Sequence, residues 1–195
     1  MMTDELTESL ASIESALGRL GRELLLRLLQ NGLSSDVVRS KLDAVGLSST
    51  PELETVYGWR NGTASDAPAI LDDIQLFPGF YLLSLDDAVT NYRAFAVDDR
   101  WMPGWLPVFA NGGGDFYIVD LTAAGAAAVR RFWIDEAEHP VEFSSLGAMM
   151  TTLARGFERG IFYVDPQGYL EMDDLVFGRL AMEMNPDIAY WRELT

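Results

Sequence analysis

The chain predicts an α+β fold, and three observations carry that prediction. Apolar residues recur at helical spacing from Leu6 to Leu24, short strand patterns crowd the middle, and helical spacing returns after Ser144. Helices, then a meander of strands, then helices again is the α+β order, and no stretch alternates strand and helix long enough to demand a doubly wound parallel sheet. At 195 residues, 49% of them apolar, the chain is long and apolar enough to bury one core. Residues 1–195 therefore read as one domain with a core over about 30–160, an N-terminal helix over 3–30 and a C-terminal extension over 161–195. The sheet is expected to be mixed, mostly antiparallel, and flanked by helices.

The first helix rests on Leu6, Leu10, Ile13, Leu17, Leu20 and Leu24, spaced 4, 3, 4, 3, 4. Thr3 can cap it, Asp4 and Glu5 suit its positive end, and Asn31-Gly32 can stop it. Such a stripe either packs on its own domain or pairs two copies as a short coiled coil. A second helix is expected over Ser35–Val45 with Gly46 as its stop, and a third from Thr50-Pro51-Glu52 to Asn61-Gly62. Residues 63–69 read as loop, and 73–77 and 80–85 as short strands around Pro78-Gly79. Ser84 to Asp87 is a capping box opening a helix through Phe95.

Residues 105–121, WLPVFANGGGDFYIVDL, read as strand, glycine turn, strand. Ala127–Ile134 is expected to be a third neighbouring strand, with a turn at His139-Pro140. Ser144 or Ser145 caps a helix ending near Gly160. In the tail, Asp165 to Gly168 is a turn that lets Tyr169-Leu170 pair back on 161–164, and Asp173 caps a last long helix that Asn185-Pro186 breaks.

Thirty acids against fourteen bases give a net charge of −16, and Lys41 is the one lysine among those bases. That charge repels nucleic acid and anionic lipid and attracts basic proteins; it also serves solubility alone. With no cysteine, disulfides and thiolate chemistry are excluded. No basic, apolar leader opens the chain and no run reaches a membrane span, so the reading is a cytoplasmic protein with no membrane and no nucleic-acid partner.

Little in the residues points to catalysis. Gly112–Asp115 lacks the following helix and the lysine that a phosphate loop needs, so it reads as a turn, with Asp115 holding turn amides. His139 is the lone histidine and reads as an exposed loop residue; a histidine metal site is excluded by count, and no metal or cofactor is expected. Acidic pairs recur at Asp72-Asp73, Asp86-Asp87, Asp98-Asp99 and Asp173-Asp174, and DEAEHPVE over 135–142 holds four acids and no base. Neighbouring acids on one element point different ways, so no pair is catalytic by itself. Solvated surface, a dock for a basic partner, and a carboxylate hydrolase stay open. Among five tryptophans, Trp59 and Trp133 read as core, whereas Trp101 and Trp105 flank a loop beside Asp98-Asp99. An exposed tryptophan beside carboxylates could anchor an arginine-rich partner.

Several segments, taken in order, resemble a known family. ELETVYGWRNGT at 52–63, LFPGFYLLSLDDAV at 76–89, WLPVFANGGGDFYIVDL at 105–121, the strand from Val129 to Trp133 and SSLGAMMTTLARGF at 144–157 are similar to the SMI1/KNR4 group of the SUKH superfamily. The resemblance implies a non-enzymatic SUKH domain with no catalytic residues to carry over. Bacterial members resemble immunity proteins that bind and neutralise toxins; fungal members are regulators of cell-wall synthesis and binding hubs. The expectation is thus a protein that binds a cognate, basic toxin through Trp101, Trp105, Asp98, Asp99, Asp72 and Asp73, with a regulatory scaffold as the alternative. The sequence leaves the oligomeric state open.

Overall fold

A computed structural model describes residues 2–63, 69–122 and 127–193, with side chains from residue 4 onward. The chain begins with α1 (Met2–Arg19) and α2 (Glu23–Leu28), followed by the short strand β1 (Leu29–Asn31). The single helix expected over 3–30 is therefore two helices and a strand. The break falls at Gly21, whose φ of 76° leaves the helical region. The next residue, Arg22, is buried, and its Nη1 donates to Asp72 Oδ2 at 2.7 Å, so a charged side chain is drawn into the joint. Leu6, Leu10, Ile13 and Leu17 are fully buried where α1 packs on α4 and α7, the apolar side of the stripe being spent inside the domain. Its extension does not continue that face: Leu24 is exposed on α2.

Next come α3 (Ser35–Asp43), α4 (Pro51–Trp59) and β2 (Arg60–Thr63). Ser34 and Thr50 cap the two helices by accepting from the Val37 and Leu53 amides. Asn61-Gly62 does not merely stop α4 but belongs to β2, which pairs with β1. Gly62 has φ 64°, and a Cβ there would lie 2.4 Å from the Ser84 nitrogen, so only glycine fits. The loop expected at 63–69 falls mostly on residues 64–68, outside the described residues.

Residues 73–77, expected as a strand, begin instead as one helical turn, α5 (Leu71–Ile74). The Arg22 guanidinium binds both the carboxylate and the carbonyl of Asp72, and that tertiary contact overrides the strand pattern. Then follow β3 (Tyr81–Leu82), α6 (Leu85–Phe95), β4 (Trp105–Ala110), β5 (Phe116–Asp120), β6 (Val129–Phe132) and β7 (Val141–Phe143). These strands form one antiparallel sheet in the order β3-β4-β5-β6-β7. A parallel bridge from Thr63 to Leu83 ties β2 to its first edge. Ser84 caps α6, accepting from Asp87 N at 3.1 Å as the capping box predicts, while the Asp87 carboxylate accepts from the Ser84 hydroxyl at 2.7 Å instead of from its amide.

The chain closes with α7 (Leu146–Glu158), a hairpin of β8 (Phe162–Val164) and β9 (Leu170–Met172), α8 (Asp174–Met184) and α9 (Ala189–Glu193). Ser145, not Ser144, caps α7, and Asp173 caps α8. One hydrophobic core runs from Leu6 to Trp191, so the N- and C-terminal helices complete the core. No described helix is long and apolar enough to cross a membrane.

Pairing of Phe116 with Phe132, Tyr117 with Arg131 and Ile118 with Arg130 fixes what each side of the sheet carries. Phe116, Asp120, Arg130 and Phe132 face α6 and the loop after it, where Phe95 and Trp101 pack on the two phenylalanines. Tyr117, Val129 and Arg131 face the other side, toward the helices that close the chain.

Candidate functional site

The residues singled out in the sequence do not form one exposed site. Trp101 is 5% exposed and Trp105 7%, which corrects the expectation that they are surface anchors. Both belong to an aromatic cluster: Trp101 lies 5.2 Å from Phe95 and 5.0 Å from Phe132, and Trp105 sits 6.1 Å from Trp101. Burying such rings is a large hydrophobic gain, which outweighs exposing them as anchors. Asp98 is bound by Arg100, whose Nε and Nη2 donate to it at 3.0 and 2.8 Å. Hydrogen bonding to that guanidinium pulls the Asp98 pKa down to about 2. Asp99 is exposed. Asp72 is engaged by Arg22 and by the Leu170 amide at 3.1 Å, so it holds the hairpin and the α1–α2 joint together. Asp73 lies half-buried on α5.

His139 is not the exposed loop residue expected. Its ring stacks on Phe132 at 4.3 Å and meets Trp105 edge-on at 6.0 Å, and neither ring nitrogen finds a hydrogen-bond partner. Burial, with Arg100 adding to it, pushes its pKa below the ordinary histidine value. The glycine turn is structural as expected, with one change of role. Asn111 Oδ1 accepts from Gly113 N at 2.7 Å and Asp115 N at 3.0 Å, while Asp115 reaches across to the Ile134 amide at 2.9 Å.

The two most voluminous concave surfaces among the described residues lie on the opposite side of the sheet, where β7 and α9 meet. An outer groove of about 650 Å³ is lined by Trp133, Tyr190 and Ile188 and by four acids, Glu136, Glu138, Asp187 and Glu193. No lysine or arginine lines it, and none of the salt bridges among the described residues uses these four carboxylates. Trp133 and Tyr190, with ring centroids 6.4 Å apart, also line an inner chamber of about 530 Å³ that contains Tyr117, Arg131 and Glu142.

Glu142 reaches this chamber because β7 bulges. Val129 pairs with Phe143 and Arg130 with Val141, so Glu142 is the extra residue between two partners that are adjacent on β6. Without the bulge, strand alternation would put Glu142 opposite Phe143, on the other side of the sheet. Its carboxylate accepts from the Tyr117 hydroxyl at 2.9 Å, and that hydroxyl accepts from Arg131 Nη1 at 2.7 Å. Glu142 is 1% exposed, and burial lifts its pKa to about 7 against the pull of Arg131. Burial also raises Tyr117 well above the ordinary tyrosine value and Tyr190 to about 12, so both stay neutral donors. The indole of Trp191 donates to the Glu142 carbonyl and pins α9 on the edge of β7.

Sequence reading missed β7, Glu142, Arg131 and Tyr190. One signal was available: Arg130 and Arg131 are consecutive in a strand, so one of them had to face each side of the sheet. Among the described residues, no group of three or more His, Asp or Glu is placed to hold a metal ion. No family model matches the chain, and no curated protein matches it either.

Proposed function

We propose that the chain is a non-enzymatic protein-binding domain, of the immunity type that its sequence resembles, and that its outer groove receives a cationic segment of a basic toxin. The observation that carries this reading is the composition of the groove: four carboxylates outside any salt bridge around two aromatic rings, with no lysine or arginine among the lining residues. A lysine or arginine side chain laid over Tyr190 gains about 0.5–2 kcal/mol from the ring face. Each rim carboxylate adds about 0.2–1 kcal/mol. Complementary charge on a chain of net charge −16 also speeds encounter with a basic partner and selects against acidic ones. The partner surface expected at Trp101 and Asp98 thus moves to the β7–α9 edge, while the chemistry of recognition stays the same.

A carboxylate hydrolase is the second reading, favoured by a glutamate whose pKa lies near neutrality. Burial argues against it, since the Glu142 carboxylate is 1% exposed and already accepts from the Tyr117 hydroxyl at 2.9 Å. Binding of an arginine hexapeptide, followed by tryptophan fluorescence, tests the first reading. Lysine at Glu136, Glu138, Asp187 and Glu193 together should weaken binding at least tenfold. The same charge change at Glu8, Glu23, Asp36 and Asp43, exposed residues elsewhere, should weaken it far less. Equal loss in both variants would reduce the groove to a share of general charge and defeat the reading.

A further inference from the structure

Behind the Trp133–Tyr190 pair the inner chamber adjoins a smaller apolar pocket of about 180 Å³, and Tyr117, Arg131, Met172 and Phe177 line both. The small pocket is walled by Phe80, Phe143, Phe162 and Leu153. At the junction the Arg131 guanidinium is caged by rings, 4.3 Å from the Phe80 centroid, 4.7 Å from Tyr117 and 5.1 Å from Trp133. Nη1 is engaged by the Tyr117 hydroxyl, but Nε is buried and reaches no acceptor in the protein. Buried donors of a charged group are normally paired. Arg130, the neighbouring residue, shows the usual solution: its Nε donates to Asp120 Oδ2 at 2.8 Å.

We propose that Arg131 binds the carboxylate of a small apolar monocarboxylic acid, whose hydrocarbon body occupies the pocket between Phe80, Phe143 and Phe162. A guanidinium edge matches a carboxylate with two parallel hydrogen bonds, which a neutral acceptor does not use. The phenylalanine walls call for an apolar body and give a polar one nothing to bond. Glu142 in the same chamber sets the limit of one negative charge, because a phosphate dianion or a dicarboxylate would place a second charge beside it without a partner. The titratable and charged groups that face Glu142 are Tyr117 from β5, Arg131 from β6 and Tyr190 from α9, with Asp174 and Arg179 from α8 lining the chamber. Since the Glu142 carboxyl titrates near pH 7, an incoming carboxylate pushes it toward its neutral form, and binding takes up a proton. This site is separate from the acidic outer groove and does not depend on the reading given to it.

Isothermal titration of the full chain with octanoate, 1-octanol and octylamine tests the proposal. Octanoate should bind, octanol at least tenfold more weakly, and octylamine weakest of the three. Hexanoate, two methylenes shorter, should bind about fifteenfold more weakly than octanoate, at about fourfold per buried methylene. Octanoate binding should be tighter at pH 6 than at pH 8, Arg131→Gln should lose at least tenfold, and Glu142→Gln should gain affinity at pH 8. Octanol binding as tightly as octanoate, or no octanoate binding at millimolar concentration, would overturn the proposal. Those ligand comparisons use the unaltered chain and hold even where a variant fails to fold.

Discussion

Arg130 and Arg131 are neighbours on β6 and point to opposite sides of the sheet, and the two sides treat a half-buried guanidinium differently. On the α6 side, Arg130 lies over Trp105 at 5.5 Å and pairs with Asp120, itself held by the Thr122 amide at 3.1 Å. Asp98 is bound by Arg100, and His139 is stacked on Phe132. On the α9 side, Arg131 meets rings and a hydroxyl, Glu142 is lifted rather than paired with a cation, and two cavities remain open. The first side is built for stability, since its ions are matched within the fold. The second holds a buried carboxyl and a guanidinium that are not paired with each other beside two open cavities, which supports the binding proposed there.

The largest test of this contrast removes a ring that closes the open side. Trp191→Ala takes away the indole that lies 5.6 Å from Phe143 and bonds to the Glu142 carbonyl. It should cost about 3–5 kcal/mol in denaturant unfolding. A loss below about 1 kcal/mol would mean that α9 does not seal the β7 edge.

Next in size is a pH dependence of opposite sign on the two sides. The Glu142 carboxyl has an ordinary value of 4.5 and titrates at about 7 in the fold, so between those values the native state holds a proton that the unfolded chain has released. Stability should therefore fall as pH rises through this window, by about 3 kcal/mol, and level off above it. Glu142→Gln should flatten that slope. On the other side the direction reverses. Asp98 has its pKa pulled down and contributes stability that is lost as pH falls below 3.8 toward 2. His139 resists protonation, so acidification through 6.5 favours the unfolded chain. His139→Phe should remove that histidine contribution while leaving the Glu142 slope intact.

Smaller still is the difference between the two arginines. Arg130→Met leaves Asp120 buried beside no cation and should cost about 2 kcal/mol. Arg131→Met keeps the stacked volume and leaves no directly paired carboxylate behind, so about 1 kcal/mol is expected. Equal costs in chemical denaturation would erase the distinction between the two sides.

Local signals made much of the fold legible. Thr50, Ser84, Ser145 and Asp173 all cap helices, because a cap is satisfied by amides within its own first turn. The strand–turn–strand of 105–121 was equally plain, since alternation and glycine act within a few residues. Failures came where a distant partner decides. The first helix breaks at Gly21 because Arg22 turns in to Asp72, fifty residues away, and the same contact makes a helical turn at Leu71. The candidate site was harder still. Asp98 looked free only because Arg100 was not read as its partner, and Glu142 faces the chamber through a bulge that no composition rule marks. A local pattern locates acids and rings but not which side of a sheet they reach.

The claim that the β7–α9 side is the binding surface is tested most directly by nuclear magnetic resonance. The labelled chain is titrated with an arginine hexapeptide while backbone amides and indole N–H groups are followed. Saturable shifts should cluster at Trp133, residues 136–141 and residues 187–193, with the Trp101 and Trp105 indoles unmoved. Shifts centred on Asp98 to Trp105, or spread evenly over the acidic surface, would contradict the account.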